Sequence, residues 1–527
     1  MTTTTTTGAA PGGLRAGAGG PQLLHDLLDD AAGRCPDRVA VRRGPVSFTY
    51  AELRGRSRAA AHRLTALGVR RGDRVAIVAP HDPHAVAAIF GTSRAGALHV
   101  VLGDGMPEQR LAHILADCSP RLLLTGAHCP PKFTAAAHRA GVPTATDLAA
   151  LCAPPDAADP PPDAAAHRPL GVPIDPVGLI YTSGSTALPK AVVSTHRQVL
   201  FATQAIARCL GYRRDDTVFC CMPLSFDYGQ YQIYLAATAG ATLVLGAAAD
   251  AGPRLASVLR DERVTVLPAV PSLADALAAL LRRPRSVSNN SAPLPLRLLT
   301  SSGAVLSSST AAALRAALPG LEIVGMFGLT ECKRVAIMEP DGDLARPGAA
   351  GRALPGTEIY VVDEYRERLP AGSVGELVVR GEHVMAGYWE APELTAERFG
   401  RDGFGQPLLY TGDQVRLDDE GYLYFVGRSD EVYKQRGFRV SAVEVEAAAL
   451  TVPGVVAAAV LPPAQARGAV LAIAGDVRPA AVLTELGARL EDHQVPERCV
   501  VHARLPLGAT GKVDKRALAR LVDGGEG

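Results

Sequence analysis

The sequence predicts an α/β protein in which helices cover mostly parallel sheets, and three observations support this class. From Gln22 onward, helical stretches alternate with short apolar strands, which is typical of crossover connections between parallel strands. Between residues 351 and 425, short alternating strands are separated by glycine-bearing turns. A compact helix and strand pattern then begins at Glu431. We therefore expect a large N-terminal domain at 21–428 with a β-rich subdomain, and a small C-terminal α+β domain at 429–527.

The elements are predicted in chain order from apolar patterning and turn residues. Residues 1–20 are low in complexity and predict a disordered tail. A proline-rich surface excursion is expected at 154–169, and a second strand and helix series at 218–318 is interrupted by a polar segment at 282–293. The clearest predicted elements are a helix at 51–67, a strand at 74–78, a helix at 83–95, and strands at 97–102, 322–324, 358–363 and 375–380.

Composition excludes several classes of function. The 527 residues suffice for two to four domains. Lys plus Arg (54) nearly cancel Asp plus Glu (53), so no global field favours nucleic acid or a membrane as partner. The nine cysteines form no C-x-x-C pair, which argues against a zinc site and a disulfide framework. With neither a signal-peptide pattern nor a long apolar run, we expect a cytoplasmic protein.

The stretch from Tyr181 to Lys190 carries the strongest chemical signal. It sets five small hydroxyl or glycine residues between an apolar run and a Pro-Lys pair. Such a loop can surround a polyphosphate with backbone N–H groups and hydroxyls, while the lysine adds a positive charge. The usual nucleotide-triphosphate spacing is absent, and an ordinary polar surface turn is the alternative. The candidate phosphate-binding residues are Thr182, Ser183, Gly184, Ser185, Thr186 and Lys190.

Three further motifs carry side chains suited to a nucleotide. Phe327 precedes a glycine and could stack on a purine, and Glu331 nearby could hold Mg²⁺. Asp413 and Arg428 each end an apolar strand, where a carboxylate can accept the hydroxyls of a ribose. Lys512 lies on a glycine-bearing tip near the C-terminus and could neutralise charge on a reacting phosphate. Taken singly, each motif is also compatible with an ordinary turn.

In order and spacing, the four motifs resemble the adenylate-forming superfamily of acyl-CoA synthetases, nonribosomal-peptide adenylation domains and luciferases. Further matches lie at 48–53, 375–377, 387–389 and 434–440, so the resemblance covers nearly the whole chain. It implies ATP-dependent activation of a carboxylic acid as acyl-AMP, with release of pyrophosphate. Transfer to a phosphopantetheine thiol would follow, after a small mobile C-terminal domain rotates about a hinge near Asp430.

The resemblance also implies a role for each matching residue. The loop from Thr182 to Lys190 would hold the β- and γ-phosphates of ATP. The remaining assignments are Phe327 to adenine, Thr330 to the α-phosphate, Glu331 to Mg²⁺, Asp413 with Arg428 to the ribose, Lys512 to the carboxylate and α-phosphate, Asp430 to the hinge, and Lys434 and Gly437 to the thiolation step.

The segment at 222–229 aligns with the start of the acid pocket in that superfamily. Asp227 stands after Phe226, where amino-acid-activating members carry an aspartate that pairs with the substrate ammonium. Helix capping is the alternative role for Asp227, and Arg334 could pair with Asp227 or with a second substrate carboxylate. A small or compact amino acid is therefore expected. The other implied wall residues are Tyr228, Tyr231, Pro268, Leu299, Ser301, Met326 and Val335.

Two residues depart from the superfamily pattern, because Ala187 and Ala191 stand where glycine is usual. A Cβ is unfavourable where the backbone needs a positive φ or a close approach to phosphate, so adenylation could be slower than in relatives. A non-catalytic protein with a degenerate version of this fold is the least favoured alternative, since Lys190, Glu331 and Asp413 remain.

The acceptor thiol is expected on a free-standing acyl or peptidyl carrier protein, because no carrier segment follows Lys512. This acceptor suits an amino acid and the biosynthesis of a specialised metabolite such as an antibiotic. An acyl-CoA synthetase that acts on a non-amino carboxylic acid is the alternative, because the sequence at 440–446 is similar to that of acyl-CoA ligases.

Replacing Lys512 by alanine tests the assignment of the C-terminal tip. Loss of one preorganised charge-stabilising group is expected to lower the rate of ATP–pyrophosphate exchange by about 10²–10³-fold. An exchange rate equal to that of the wild type would refute this role for Lys512.

Overall fold

The computed structural model describes residues 20–78, 81–126, 129–145, 147–154, 171–182, 189–282, 293–428, 432–435, 438–464, 468–490, 494–508 and 513–523. These residues form mixed α/β layers, which confirms the predicted fold class.

The strands are β1 (Val39–Arg43), β2 (Val46–Thr49), β3 (Arg74–Val78), β4 (Leu98–Leu102), β5 (Leu122–Thr125), β6 (Thr144–Ala145), β7 (Pro176–Thr182), β8 (Lys190–Thr195), β9 (Thr217–Cys220), β10 (Thr242–Leu245), β11 (Val266–Ala269), β12 (Leu298–Ser301), β13 (Glu322–Phe327), β14 (Ala336–Ile337), β15 (Arg352–Ala353), β16 (Glu358–Val362), β17 (Val374–Arg380), β18 (Phe399–Arg401), β19 (Pro407–Leu417), β20 (Leu423–Arg428), β21 (Val432–Gln435), β22 (Phe438–Ser441), β23 (Val455–Leu461), β24 (Val470–Gly475) and β25 (Arg498–His502).

The α-helices are α1 (Asp26–Arg34), α2 (Tyr50–Ala66), α3 (Pro83–Arg94), α4 (Glu108–Cys118), α5 (Pro131–Arg139), α6 (Leu148–Leu151), α7 (His196–Leu210), α8 (Asp227–Ala239), α9 (Leu255–Asp261), α10 (Pro271–Arg282), α11 (Ser308–Ala317), α12 (Pro392–Arg398), α13 (Ala442–Leu450), α14 (Pro479–Gly487) and α15 (Lys515–Asp523). Short 3₁₀ helices lie at Ala248–Ala251 and Gly342–Leu344.

Two sheets with mostly parallel centres form the larger part of the fold. One has the order β6-β5-β3-β4-β7-β8, and the other has the order β15-β14-β13-β12-β11-β9-β10-β1-β2. A third sheet, β16-β17-β19-β18 with β20 on β19, is antiparallel and forms the expected β-rich region. Toward the C-terminus, β21 pairs with β22, and β23, β24 and β25 form a small mixed sheet.

Local sequence signals account for several element boundaries. Helices α2 and α7 each begin with a capping box, in which Thr49 and Glu52, and Thr195 and Gln198, satisfy each other's backbone N–H groups. The strand predicted at 74–78 is observed with the same bounds, and the neighbouring elements differ by one residue at an end. Most of the two polar excursions predicted at 154–169 and 282–293, and of the N-terminal tail, lies outside the described residues.

One predicted boundary is wrong. Residues 410–413 were expected to end a strand, yet they lie inside β19, which continues to Leu417. The reason is Gly412, whose φ of +72° lets the chain kink within the strand and resume pairing with β17 and β20. Asp413 is therefore held by strand pairing with Arg428 of β20.

The interior of the larger part is apolar, yet it encloses histidines. His99, His196 and His383 are buried, and burial lowers the pKa of His99 to about 3 and those of His196 and His383 to about 4. The Nδ1 atom of His196 accepts a hydrogen bond from the Leu24 N–H, which requires that nitrogen to be unprotonated. Among the described residues, no helix combines the length and the hydropathy needed to cross a membrane.

These three histidines predict a loss of stability in mild acid. Their pKa values in the folded state lie below the unfolded value of 6.5, so the unfolded chain binds more protons once the pH falls below 6.5. At pH 5 each shift lowers the free energy of unfolding by up to about 2 kcal/mol. Urea unfolding at pH 7 and pH 5 measures this difference. The His99→Asn variant should show a weaker pH dependence, whereas His138→Asn, at an exposed position, should keep that of the wild type. Equal pH dependence in all three proteins would contradict the assignment.

Candidate active site

The predicted phosphate loop lies at the tip of a hairpin. Strands β7 and β8 are antiparallel, and Thr182 and Lys190 face each other as the last register pair before the tip. This arrangement brings the two ends of the loop together. The residues between them that were assigned to phosphate, Ser183, Gly184, Ser185 and Thr186, lie outside the described residues, as does Ala187.

Tyr388 connects the lysine of this loop with the candidate metal ligand. The Lys190 ammonium lies 4.2 Å from the centroid of the Tyr388 ring, a cation–π contact. The Tyr388 hydroxyl donates a 2.6 Å hydrogen bond to Oε1 of Glu331. Burial and the carboxylate raise the pKa of Tyr388, so its hydroxyl keeps the donated proton. Partial burial lowers the pKa of Lys190, and the charge on Glu331 raises it.

Backbone hydrogen bonds hold this contact in place. The Trp389 N–H donates to the Ala191 carbonyl, and the Val193 N–H donates to the Gly387 carbonyl, each at 2.9 Å. Segment 387–389 therefore runs along β8 beside the loop. Ala191 is buried in this extended strand and is not among the residues with positive φ, so its Cβ strains no left-handed backbone. The expected disadvantage of alanine at this position is not seen.

Phe327 and Thr330 follow β13 on the way to Glu331. Phe327 is the last residue of that strand, and its ring lies 5.4 Å from the ring of Phe425. Gly328 has no room for a side chain, because a Cβ there would lie 2.2 Å from the Lys333 carbonyl oxygen. The chain therefore turns back tightly after Phe327 and presents a half-buried aromatic ring with the half-buried Thr330 close by.

Asp413 and Arg428 are brought together as their shared ribose assignment requires. They face each other across β19 and β20, and Arg428 Nη1 lies 3.2 Å from Asp413 Oδ1. The Asp413 N–H donates to the Thr411 hydroxyl, and Asp413 is 4% exposed. The pair is thus held by the strands rather than by a mobile turn.

Asp227 is the first residue of α8 and does not cap it. The N-cap is Phe226, without a side-chain cap hydrogen bond, so the capping alternative is not supported. Instead, Asp227 Oδ2 pairs with Arg334 Nη1 at 3.2 Å, with side-chain exposures of 15% and 7%. The Arg334 guanidinium also lies 4.8 Å from the centroid of the Tyr228 ring. Of the two partners that the sequence left open for Arg334, Asp227 is the one observed.

Several of the expected wall residues surround this pair. The Tyr228 hydroxyl hydrogen-bonds to Thr300 and to the Ala269 carbonyl, and Pro268 is the register partner of Thr300. Tyr228, Tyr231 and Met326 share one apolar cluster. The Tyr231 hydroxyl is buried and has no hydrogen-bond partner among the described residues. The Ser301 hydroxyl is also buried without such a partner, but Ser301 follows Thr300 directly on β12 and so points to the opposite face of the strand.

Leu299 is a correction to the expected wall. It packs in a second cluster with Leu267, Leu277 and Leu314, whereas its neighbour Leu298 packs with Tyr228. Successive side chains of a strand point to opposite faces, so Leu299 belongs to the core against α10 and α11. Val335 packs with Cys332 in a third cluster beside the antiparallel sheet.

Comparison with known proteins identifies the family. Residues 28–389 match the family described as AMP-binding enzyme. The chain belongs to the AMP-binding enzyme family. Phosphinothricin tripeptide synthetase PhsC from Streptomyces viridochromogenes is 33% identical over 524 residues, which cover 94% of this chain and 45% of PhsC. The chain spans less than half the length of the curated relatives it matches.

Two solved structures are also similar to this AMP-binding enzyme. A complex of VinN with L-aspartate is 38% identical with a TM-score of 0.67, covering 77% of this chain and 98% of VinN. ATP-bound MatB from Rhodopseudomonas palustris is 26% identical with a TM-score of 0.82, covering 94% and 98% of the two chains. The chain belongs to the adenylate-forming superfamily, as its motifs predict, and its relatives are consistent with an AMP-forming ligase.

Two residues of the site in this AMP-binding enzyme were not predicted. Tyr388 was noted only within a matching motif, and its contact with Glu331 joins residues 57 positions apart. Lys333 gave no signal, because a single lysine after a turn reads as a solvated side chain. Its ammonium is buried, with no hydrogen-bond partner among the described residues. Burial lowers the pKa of Lys333 to about 8, while the charges of Asp227 and Glu331 raise it.

The residues assigned to the second half-reaction are only partly described. Lys434 lies in β21 and is the register partner of Arg439, whereas Asp430 and Gly437 lie outside the described residues. Lys512 also lies outside them, but Leu507 and Val513 on either side form an antiparallel bridge. The roles of Lys512, Asp430, Lys434 and Gly437 stay predictions.

The Tyr388→Phe variant tests the link between Lys190 and Glu331. A charge-assisted hydrogen bond is worth about 1.5–3 kcal/mol, so exchange is expected to fall by about 10- to 100-fold, with a higher Mg²⁺ concentration at half-maximal rate. The chain has one tryptophan, and Trp389 adjoins the substituted residue, so its fluorescence reports ATP binding separately from turnover. Tyr365→Phe, at a residue that is 78% exposed, is the matched control. An unchanged Mg²⁺ dependence in Tyr388→Phe would show that this hydrogen bond does not position Glu331.

Proposed function

We propose that this enzyme activates an amino acid as aminoacyl-AMP with release of pyrophosphate. It then passes the aminoacyl group to the phosphopantetheine thiol of a carrier protein in the biosynthesis of a specialised metabolite. The observation that carries the proposal is the largely buried Asp227 carboxylate, which is 15% exposed at the start of α8, beside the expected acid pocket.

The adenylation reaction needs no covalent bond between the substrate and the protein. A substrate carboxylate oxygen bonds to the α-phosphorus of ATP while the bond from that phosphorus to the bridging oxygen of the β-phosphate breaks, and pyrophosphate leaves. Positioning and charge stabilisation then account for the acceleration. The described structure offers one cation, Lys190, and two carboxylates, Glu331 and Asp413, for these tasks. Each is held by contacts with its neighbours in the fold.

Magnesium fits the residues at the nucleotide end. Mg²⁺ usually takes one or two protein carboxylates and completes its coordination with water and phosphate oxygens. Within the described residues, no cluster of three or more potential ligands is present, and Glu331 is the candidate ligand. Its Oε1 accepts from Tyr388, which leaves Oε2 for the metal. Bound Mg²⁺ would neutralise charge on the phosphates.

Asp227 is suited to an ammonium group. Arg334 contacts only Oδ2, and Oδ1 makes no hydrogen bond with the residues that the structure describes. A carboxylate in a largely buried position gains most from a cationic partner. The 38% identical VinN has been solved with L-aspartate, which supports an amino acid here too. The packed rings of Tyr228 and Tyr231 support a compact one.

The carrier-protein acceptor is supported by the similarity to a tripeptide synthetase. An acyl-CoA synthetase acting on a non-amino carboxylic acid is the second candidate. It is favoured by the sequence at 440–446, which is similar to that of acyl-CoA ligases. A protein without adenylation activity is the third. Under both enzymatic proposals, the same adenylation step precedes thiol transfer.

ATP–pyrophosphate exchange with amino-acid pools tests the first half-reaction. We expect exchange with at least one amino acid, and we expect Asp227→Asn to lower its kcat/KM far more than that of its deamino analogue. Asp261→Asn, at an exposed position, should change neither. Equal losses for the two substrates in Asp227→Asn would exclude the ammonium role, and no exchange with any carboxylic acid would exclude an active ligase.

Mass spectrometry tests the acceptor. Carrier proteins and coenzyme A are incubated in parallel with enzyme, ATP and the acid found by exchange. We expect an aminoacyl thioester on a carrier protein. A thioester on coenzyme A alone would favour the acyl-CoA synthetase alternative.

A further inference from the structure

Lys333 is the least explained charged residue of the larger part of the chain. It is 1% exposed, and its Nζ atom has no hydrogen-bond partner among the described residues. Taking an ammonium out of water without a partner is strongly unfavourable. Methionine or leucine would fill the same volume without that cost, so the charge itself needs an explanation.

The backbone around Lys333 fixes where the side chain starts. Its φ is +66°, a left-handed conformation that is unfavourable for a residue with a side chain. Gly328 lies against the Lys333 carbonyl and permits the tight turn. Strained backbone that is held by its surroundings is common at binding sites, and here it directs a lysine inward.

Lys333 lies on the turn that joins the two ends of the active site. It follows Glu331, at the nucleotide end, by two positions, and it precedes Arg334, at the acid end. Arg334, the next residue, is also buried and reaches Asp227 from the same turn. The Tyr231 hydroxyl, like the Lys333 ammonium, is buried without a partner among the described residues.

The charges at the acid end do not balance without a ligand. Lys333 and Arg334 bring two positive charges, and Asp227 brings one negative charge. Glu331 is already engaged by Tyr388 and is assigned to the metal. With a substrate ammonium on Asp227 as well, this one carboxylate would face three cations. The reacting carboxylate does not restore the balance, because it loses its charge when it forms the adenylate.

We propose that Lys333 and Arg334 bind a second carboxylate of the substrate, so that the amino acid activated by this enzyme is an amino dicarboxylic acid. The proposal rests on the proposed function and names its substrate class. A guanidinium presents paired N–H donors that suit a carboxylate, and the lysine adds a point charge from another side. Tyr231 can donate a further hydrogen bond to the same group.

The substrate test compares each dicarboxylic amino acid with its two monoamides. L-Aspartate is assayed by ATP–pyrophosphate exchange beside asparagine and aspartic acid α-amide, and L-glutamate beside glutamine and glutamic acid α-amide. In one monoamide of each pair, the amide replaces the carboxylate that is activated, and we expect no exchange with that compound. In the other monoamide, the amide replaces the second carboxylate and keeps its shape. We expect its kcat/KM to be at least about 100-fold lower than that of the dicarboxylic acid, because a site built for a polar group rejects analogues that leave it unpaired.

The Lys333→Met variant separates binding from folding. It removes the charge and keeps the length, so thermal stability should be unchanged or higher, because an unpaired buried charge is lost. KM for the dicarboxylic substrate should rise about 10- to 100-fold, with a smaller effect on the monoamide. Lys132→Met is the matched control, since that lysine, on α5 and outside the site, donates to the Met106 carbonyl.

Three results would overturn the proposal. Neutral compact amino acids could exchange as well as, or better than, their dicarboxylic counterparts. Lys333→Met could lower exchange equally for all acids, which would place the lysine at the reacting group. It could also lower thermal stability and leave substrate preference unchanged, which would make Lys333 structural. No exchange with any acid would instead count against the proposed function, so the two failures are distinguishable.

Discussion

The nucleotide end of this enzyme depends on the hydrogen bond from Tyr388 to Glu331. Glu331 lies on the loop after β13 in one sheet, and Lys190 begins β8 in the other. Segment 387–389 is hydrogen-bonded along β8, so its tyrosine reaches both residues at once. The candidate metal ligand and the candidate phosphate-binding lysine, from different sheets, are thereby held close together, as positional catalysis of phosphoryl transfer would require.

The acid end follows a different physical rule, in which buried charges must be matched. Arg334 and Lys333 enter the site from one tight turn, and Asp227 faces them from the start of α8. The same turn is only possible because Gly328 leaves room for the Lys333 carbonyl. The residues proposed to select the substrate therefore share one stretch of backbone with Phe327, Thr330 and Glu331, the candidates for nucleotide binding.

Much of the fold and of the candidate site could be predicted from the sequence, because its signals there are local. Apolar runs and turn residues gave the bounds of the early helices and strands to within a residue. Linear motifs marked Lys190, Glu331 and Asp413 as candidates. Contacts between distant residues could not be predicted this way. The pairing of Asp227 with Arg334 joins positions 107 apart, and the inward Lys333 depends on a left-handed backbone that its residue type does not suggest. Leu299 was misplaced because motif alignment does not give the face of a strand.

Trapping with hydroxylamine identifies the acid that this enzyme activates. Hydroxylamine converts an acyl adenylate into a hydroxamate, and mass spectrometry identifies the acid without any acceptor thiol. We expect an ATP-dependent hydroxamate of an amino acid, with AMP and pyrophosphate released. Hydroxamates formed only from acids that lack an amino group would contradict this expectation.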